Sequence, residues 1–428
     1  MNIAWHSAPA FFPTGYGVQT NGFVRRLMDL GHQVVVITTT ASVGMVWEGI
    51  VHVPGGPEHP ALAGMVEWPK RLPIDMMVTL IDAWVIPEQY LIDLKMAGVK
   101  WCPYVPVDHD PIPLDVESKL RHGAYNLAMS PFALREFKRV DVPNPRYLPH
   151  GVDTKIFTPR PKHKEMFQAR GMFLAGMIAS NVEPIGRKNF NYAFDAWGKF
   201  SKKHDDVRLY VHCDTTRGSG GLDLLGMAEQ RGFMPFSPDM WQLQANLPPE
   251  KMAEIYSTLD VLLMPSGGEG FGIPLIEAQA CGTPVITTDF TAMSDLVGAG
   301  WKIPVAGKIH TPMNSYWAIP DVDAIVDALE EAYDLWKGEK LRKTMKDRAV
   351  EFASDFDFDI ITEKYLIPLL EEIEYGEADA PKSNKEKDTA SDERSGQEAS
   401  IDVSDGGVHN SELRKTPNKR SRSRRKKN

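Results

Sequence analysis

Two glutamates eight positions apart, Glu269 and Glu277, lie in Gly267-Gly268-Glu269-Gly270-Phe271-Gly272-Ile273-Pro274-Leu275-Ile276-Glu277-Ala278. The strand-length apolar run Val261-Leu262-Leu263-Met264 precedes them. A glycine-rich turn holds the first glutamate and a helix start holds the second. This order puts backbone N–H groups and a carboxylate at the mouth of a parallel sheet, where nucleotide ligands bind. An ionised carboxylate only accepts hydrogen bonds, so it suits a pair of vicinal hydroxyls. The plain alternative is a helix N-terminal acid favoured by the macrodipole, plus a surface glutamate.

Arg187-Lys188-Asn189 is a second candidate. Two adjacent cations at a helix start oppose the dipole unless an anion sits there. A diphosphate would be such an anion, and the pair would stabilise charge developing on it. The alternative is a solvated surface pair. Thr14-Gly15-Tyr16-Gly17-Val18 follows the first predicted strand. It lacks the G-x-G-x-x-G spacing, so a phosphate loop and an ordinary strand-to-helix turn both fit it.

These groups need elements to hold them. Met1 to His6 reads as a strand, and Val18 to Leu30 as a helix with Val24, Leu27, Met28 and Leu30 on one side. Gln33 to Thr38 reads as the next strand, which completes a βαβ unit. Further strands are expected at 76–81, 101–107 and 126–130. The first α/β domain then spans residues 1–155, and His150-Gly151-Val152-Asp153 with the proline-containing 157–162 reads as a linker. A second domain, 156–357, contains predicted strands at 173–180, 207–213, 260–265 and 283–287. Helices are expected at 189–203, 249–257, 274–281, 324–336 and 339–352. A last helix spans 358–375, with Ile361, Tyr365, Leu366 and Leu369 as its apolar face.

The segment Glu269-Gly270-Phe271-Gly272 through Glu277, then Ala280-Cys281-Gly282-Thr283-Pro284-Val285-Ile286, resembles the Glu-x7-Glu signature of retaining glycosyltransferases. More narrowly it resembles the family-4 group of GT-B enzymes (glycosyl transferases group 1). His150-Gly151-Val152-Asp153 with Phe157 and Pro159 is similar to that family's inter-domain segment. Leu247-Pro248-Pro249 through Tyr256, then Leu259-Asp260-Val261-Leu262, is similar to the lead into its donor site. The resemblance covers residues 1 to about 375 and is strongest over 247–290.

It implies an α/β GT-B fold, two Rossmann-like domains facing each other across a cleft. The acceptor would sit mainly on the first domain and the nucleotide sugar on the second, with the last helix crossing back to the first. It further implies that Glu277 accepts from the nucleotide ribose and that Glu269 faces the donor sugar. Gly270, Phe271, Gly272 and Ile273 would bring backbone to sugar and phosphate, and Gly15 and Gly17 would lie against the phosphates. Lys188 and Arg187 would hold the leaving group. His109, in Val107-Asp108-His109-Asp110-Pro111, would lie near the sugar, a structural or surface histidine being the alternative. Asp108 and Asp110 are acceptor contacts or strand-end caps. The segment Gly232 to Pro235 is a candidate wall for the base.

The implied activity is transfer of a sugar from a nucleotide-diphosphate sugar to a hydroxyl, with retention, with the nucleotide sugar as co-substrate and no cofactor or metal. A phosphorylase would need a cofactor-lysine setting that the sequence does not show. The alternative is a catalytically silent GT-B glycan- or nucleic-acid-binding module tethered by the tail.

Composition is consistent with a globular protein, with 25% charged and 43% hydrophobic residues. No apolar run approaches the roughly 20 residues that span a bilayer, and the N-terminus lacks a signal-peptide pattern. Three distant cysteines match no zinc or disulfide framework, so a reducing, cytoplasmic setting is expected. A net charge of −9 argues against a general nucleic-acid binder. Arg414 to Asn428 nevertheless hold nine Lys or Arg and no acid, so the remainder is more acidic than the total shows. Residues 376–428 are expected to be disordered. Their basic end reads either as a tether to an anionic partner (nucleic acid or membrane surface) or as a solubilising terminus.

Overall fold

Period-two and fully apolar runs close together in sequence make parallel strands when helices of 3.6 spacing lie between them. The computed structural model describes residues 1–40, 44–58, 60–182, 186–216, 218, 220–237 and 247–376. The expectations for the tail from residue 377 onward lie outside the described residues.

The first sheet contains β1 (Asn2–Ser7), β2 (Gln33–Thr38), β3 (Met45–Trp47), β4 (Ile50–Pro54), β5 (Met76–Thr79), β6 (Lys100–Val105), β7 (Asn126–Ala128) and β8 (Pro145–Tyr147). Its order is β3-β4-β2-β1-β5-β6-β7-β8, parallel except for β3 against β4. The second sheet contains β9 (Phe173–Ile178), β10 (Val207–His212), β11 (Val261–Met264), β12 (Val285–Thr288) and β13 (Gly300–Ile303). Its order is β10-β9-β11-β12-β13, all parallel. In each sheet the strand order reverses beside the first strand, at β1/β5 and at β9/β11. Parallel α/β sheets bind ligands at such reversals, beyond the carboxyl ends of the strands.

The sequence reading missed β3, β4, β8 and β13. It also missed the antiparallel hairpin β14 (Val305–His310) and β15 (Tyr316–Pro320). Most of these strands are short or half-exposed, so they carry little period-two signal. The first helix starts earlier than expected, at Gly15 instead of Val18, and ends at Asp29. Thr14 caps it, its hydroxyl accepting from the Gly17 N–H at 3.2 Å. The segment read as a loop is therefore the cap and first turn of that helix. The expected last helix is helical over Phe358–Ile361 and Ile367–Tyr375, with a π turn over Thr362–Leu366 between them. Pro368 lacks an N–H for the carbonyl four residues back, and a π turn relieves that gap.

One buried apolar cluster runs through both sheets, from Trp5, Phe23 and Tyr104 through Val152 and Phe271 to Leu262, Phe356 and Phe358. Val152 is tied on both sides: its N–H donates to Phe356 O at 2.9 Å and its carbonyl accepts from Phe358 N–H at 3.3 Å. Gln19 exchanges two hydrogen bonds with the Gly151 backbone, at 2.8 and 2.9 Å. The chain after Phe358 lies on the first sheet's side. Arg26 pairs with Asp359 at 2.6 Å, Arg146 Nε donates to Glu372 at 2.8 Å, and Lys100 Nζ donates to the Ile373 carbonyl at 2.5 Å. Among the described residues no helix is long and apolar enough to cross a membrane.

A Cβ on Gly151 would lie 2.2 Å from the Phe358 ring. Gly151→Ala is therefore expected to lower stability by about 1–3 kcal/mol through overpacking. Measured by urea midpoint, the same change in a Phe358→Ala background should cost almost nothing more. An equal loss in both backgrounds would remove Phe358 as the cause.

Candidate active site

The loops after β1, β9 and β11 open on one cavity of about 910 Å³. The first lobe contributes Thr14, Gly15, Tyr16, Asp82, Trp84, Asp108 and His109, and the second contributes Arg187, Lys188, Glu269–Pro274 and Glu277. Of the sequence-predicted site residues, Gly15, His109, Arg187, Lys188, Glu269 to Ile273 and Glu277 are brought together here. Gly17 is absent from the lining, and a Cβ there would sit 2.1 Å from the Phe12 carbonyl, so no side chain fits at this position. Gly232 to Pro235 is also absent from the lining, and Phe233 packs on Phe194 with ring centroids 5.3 Å apart.

Glu269 is buried and holds the two cations. Lys188 Nζ donates to Oε1 at 2.5 Å, and Arg187 Nη1 donates to Oε2 at 3.0 Å and to the Gly268 carbonyl at 2.8 Å. Burial would push the Glu269 carboxyl up, but Lys188 and then Arg187 outweigh it and hold it at about 2. The sequence argument assigned the anion between these cations to a ligand. In the ligand-free protein the chain supplies it.

The glycines flanking Glu269 meet the opposite lobe. A Cβ on Gly268 would lie 1.9 Å from the Asp108 carbonyl, and one on Gly270 would lie 2.4 Å from Pro106. Their smallness lets the turn seat directly on the loop after β6. That loop carries His109, whose Nδ1 is 2.7 Å from Asp108 Oδ1. A carboxylate accepts only, so Nδ1 bears the proton and the ring is oriented by Asp108. Arg187 Nε lies 3.8 Å from Asp108 and links the two groups.

Glu277 has a different environment. It follows Ile273 by four residues on the same helix face, on a helix spanning Ile273–Ala280. The Tyr256 hydroxyl donates to it at 2.7 Å. Burial pushes its carboxyl up to about 7, and the Tyr256 hydrogen bond only partly offsets this. The sequence reading took this carboxylate as ionised; without ligand, burial makes it an acid that titrates near neutrality. The N-cap of this helix, Gly272, has φ of +109° and no side-chain cap. In its first turn Pro274 has no N–H and the Leu275 N–H donates to the Gly272 carbonyl at 2.9 Å, which leaves the Ile273 N–H, uncapped by any N-cap side chain, at the cavity wall. A Cβ on Gly15 would stand 3.4 Å from the Ile273 side chain, so the N-termini of the two helices lie close together.

Three contributors were not identified from sequence. Tyr256 orients Glu277. His150, neutral because burial lowers it to about 3, lines the cavity beside Phe271, with ring centroids 5.2 Å apart. The β14–β15 hairpin supplies Thr311, Pro312, Met313 and Trp317 to the lining. The Trp317 ring stands 5.0 Å from that of His109. The hairpin is fastened to the second lobe by Ala318 N–H to Gly267 O at 2.7 Å. It is fastened to the first by Asp110 N–H to Tyr316 O at 3.2 Å, by Lys308 to Asp110 at 2.8 Å and by Ser315 to the Pro111 carbonyl. Its turn-rich Thr311-Pro312-Met313-Asn314-Ser315 between strand-forming runs was the available signal. Among the described residues no three His, Cys, Asp or Glu side chains converge as a metal site.

Residues 184–352 match the family model described as glycosyl transferases group 1. Over that segment the chain is similar to the group 1 glycosyltransferases. A D-inositol 3-phosphate glycosyltransferase from Paenarthrobacter aurescens is 29% identical over 202 residues, 46% of this chain and 44% of the relative. One from Corynebacterium urealyticum is 45% identical over 158 residues, 35% of this chain and 36% of the relative. The chain spans less than half the length of these curated relatives. Sucrose-phosphate synthase from Thermosynechococcus elongatus aligns with TM-score 0.68 and 16% identity, covering 87% of this chain and 99% of that one. Anabaena HepE, in complex with UDP and glucose, aligns with TM-score 0.58 and 14% identity, covering 86% and 99%. The fold is GT-B, with two Rossmann-like domains.

Glu277 takes up its proton more readily folded than unfolded. Its contribution to stability is complete below about pH 4.5 and is lost as pH rises through about 7. The melting temperature of ligand-free wild type, measured relative to Glu277→Gln, should fall between about pH 5 and 8. A difference that stays flat across this range would place the Glu277 carboxyl near its ordinary value.

Proposed function

We propose that the protein transfers a sugar from a nucleotide-diphosphate sugar to a hydroxyl acceptor, with retention of anomeric configuration and without a metal. The observation that carries this reading is the helix N-terminus at Ile273, which lacks a side-chain cap and opens on the same cavity as Lys188, Arg187 and Glu277. A helix N-terminus with cations beside it suits a diphosphate, and a carboxylate four residues along suits the ribose hydroxyls. The donor sugar then lies toward Glu269 and His109, and the acceptor enters from the first lobe.

In the transfer step the bond from the anomeric carbon to the diphosphate oxygen breaks. The acceptor oxygen bonds that carbon on the same face, and its proton passes to the departing phosphate. Lys188, Arg187 and the helix N-termini stabilise the charge on the leaving group, the task a metal performs elsewhere. Positioning by both lobes and exclusion of water supply the rest, since hydrolysis competes with transfer. The matched relatives are named for D-inositol 3-phosphate, and only the hydroxyl character of the acceptor is taken from that name.

A thermal-shift panel of UDP-, GDP- and ADP-sugars tests the donor site. One base family should raise the melting temperature, and Glu277→Ala should abolish the rise. Glu277→Gln should weaken donor binding by roughly 1.5–3 kcal/mol, the value of a charge-assisted hydrogen bond. No shift with any donor would favour the silent binding module. Lys188→Ala should lower kcat by about 10²–10³-fold with a smaller change in KM, as expected for a group acting on transition-state charge. A change confined to KM would make Lys188 a binding group only.

A further inference from the structure

A second cavity, of about 1000 Å³, lies at the opposite end of the second sheet. The first cavity opens at the carboxyl ends of β9 and β11. This one is built on the chain entering them: Gly171 precedes β9, Leu259 and Asp260 precede β11, and Gly282 and Pro284 precede β12. It shares no residue with the cleft. Seven cationic side chains line it, against the three acids Glu165, Asp260 and Glu339.

The cations fall into two groups. Lys162 and Lys164 share one buried carboxylate, that of Asp260, at 2.6 and 2.5 Å. Asp260 is also committed to the Leu174 N–H at 2.8 Å, so one carboxylate faces two ammonium groups. Lys164 is mostly buried, 14% exposed, and its Nζ stands 5.0 Å from the Trp336 ring centroid. On the facing helix, Glu339–Ser354, Lys340, Lys343 and Lys346 recur every third residue. Such spacing puts them side by side along one helix face, at a rise of about 4.5 Å per step. Among the described residues these three and Arg170 make no ion pair. Between the two groups the wall is apolar, formed by Leu259, Pro284, Ala332, Leu335, Met345 and the Trp336 indole.

A surplus of positive charge gathered in a concavity on an acidic chain is unfavourable without an anion. The row of lysines matches successive phosphoryl groups, and the indole and aliphatic wall offers a seat for an organic portion. A bilayer needs a flat or convex basic face, which this is not. We propose that this cavity is a second ligand site, for a multiply phosphorylated small molecule, independent of the nucleotide-sugar site.

The test is isothermal titration of the full chain with inorganic tripolyphosphate, using wild type, Lys188→Ala and Lys340→Glu/Lys343→Glu. Both substituted lysines in the double variant are exposed, so its melting temperature should match wild type. Binding should survive Lys188→Ala and weaken about tenfold or more in the double variant, as expected when charges facing an anion are reversed. The proposal is overturned if wild type binds no tripolyphosphate, or if binding is lost with Lys188→Ala and kept in the double variant. Binding to phosphatidylglycerol vesicles that tripolyphosphate does not displace would overturn it as well, in favour of a membrane surface.

Discussion

The cleft depends on one buried carboxylate held between two cations. Glu269 sits on the turn after β11, while Lys188 and Arg187 come from the segment after β9. Their pairing fixes both turns at once, and the Gly267 N–H to Arg187 carbonyl hydrogen bond, at 2.7 Å, reinforces it. Removing one partner from such a buried arrangement strands a charge, which costs far more than an exposed pair contributes. The same turn carries Gly268 and Gly270 onto Pro106 and Asp108. Through this contact the ion-paired turn also sets where His109 stands.

Burial acts oppositely on the two glutamates. Glu269 loses water but gains two cations, and so stays ionised. Glu277 loses water and gains only a tyrosine hydroxyl, and so titrates near neutrality. Desolvation is common to both, and the neighbouring charge decides the direction. For the proposed donor site this separates two jobs. One carboxylate is a fixed organiser of cations, and the other can be drawn into its ionised form by hydroxyl donors.

The lobes are joined in two places. At the rear, the Val152 strand segment and Phe358 carry the apolar core from one sheet to the other. At the front, the β14–β15 hairpin reaches from Gly267 to Asp110 and Pro111. The rear joint is apolar and buried. The front one is a set of hydrogen bonds around an ion pair whose lysine is half-exposed, which a domain motion breaks more readily.

The alternation of strands and helices was legible because parallel strands buried on both faces are apolar runs, and amphipathic helices keep a 3.6 period. That held for β1, β2, β9, β11 and the helix Val322–Lys337. Edge and hairpin strands such as β3, β8 and β14 left weak traces, since their residues need only meet a neighbouring strand. Among the site residues, the glutamate pair and the Arg187-Lys188 step were legible by type and spacing. Their mutual pairing was not, because it depends on two turns more than eighty residues apart meeting beyond the same sheet. Gly17 shows the same limit: its position suggested a ligand loop, and only the nearby Phe12 carbonyl shows that no side chain fits there. The sequence by itself determined which elements form and which residues can do chemistry, since both follow from local periodicity and side-chain type. Only the tertiary structure decided which groups face each other, how buried each is, and therefore which carry charge, because solvation and Coulomb interactions act through space and not along the chain.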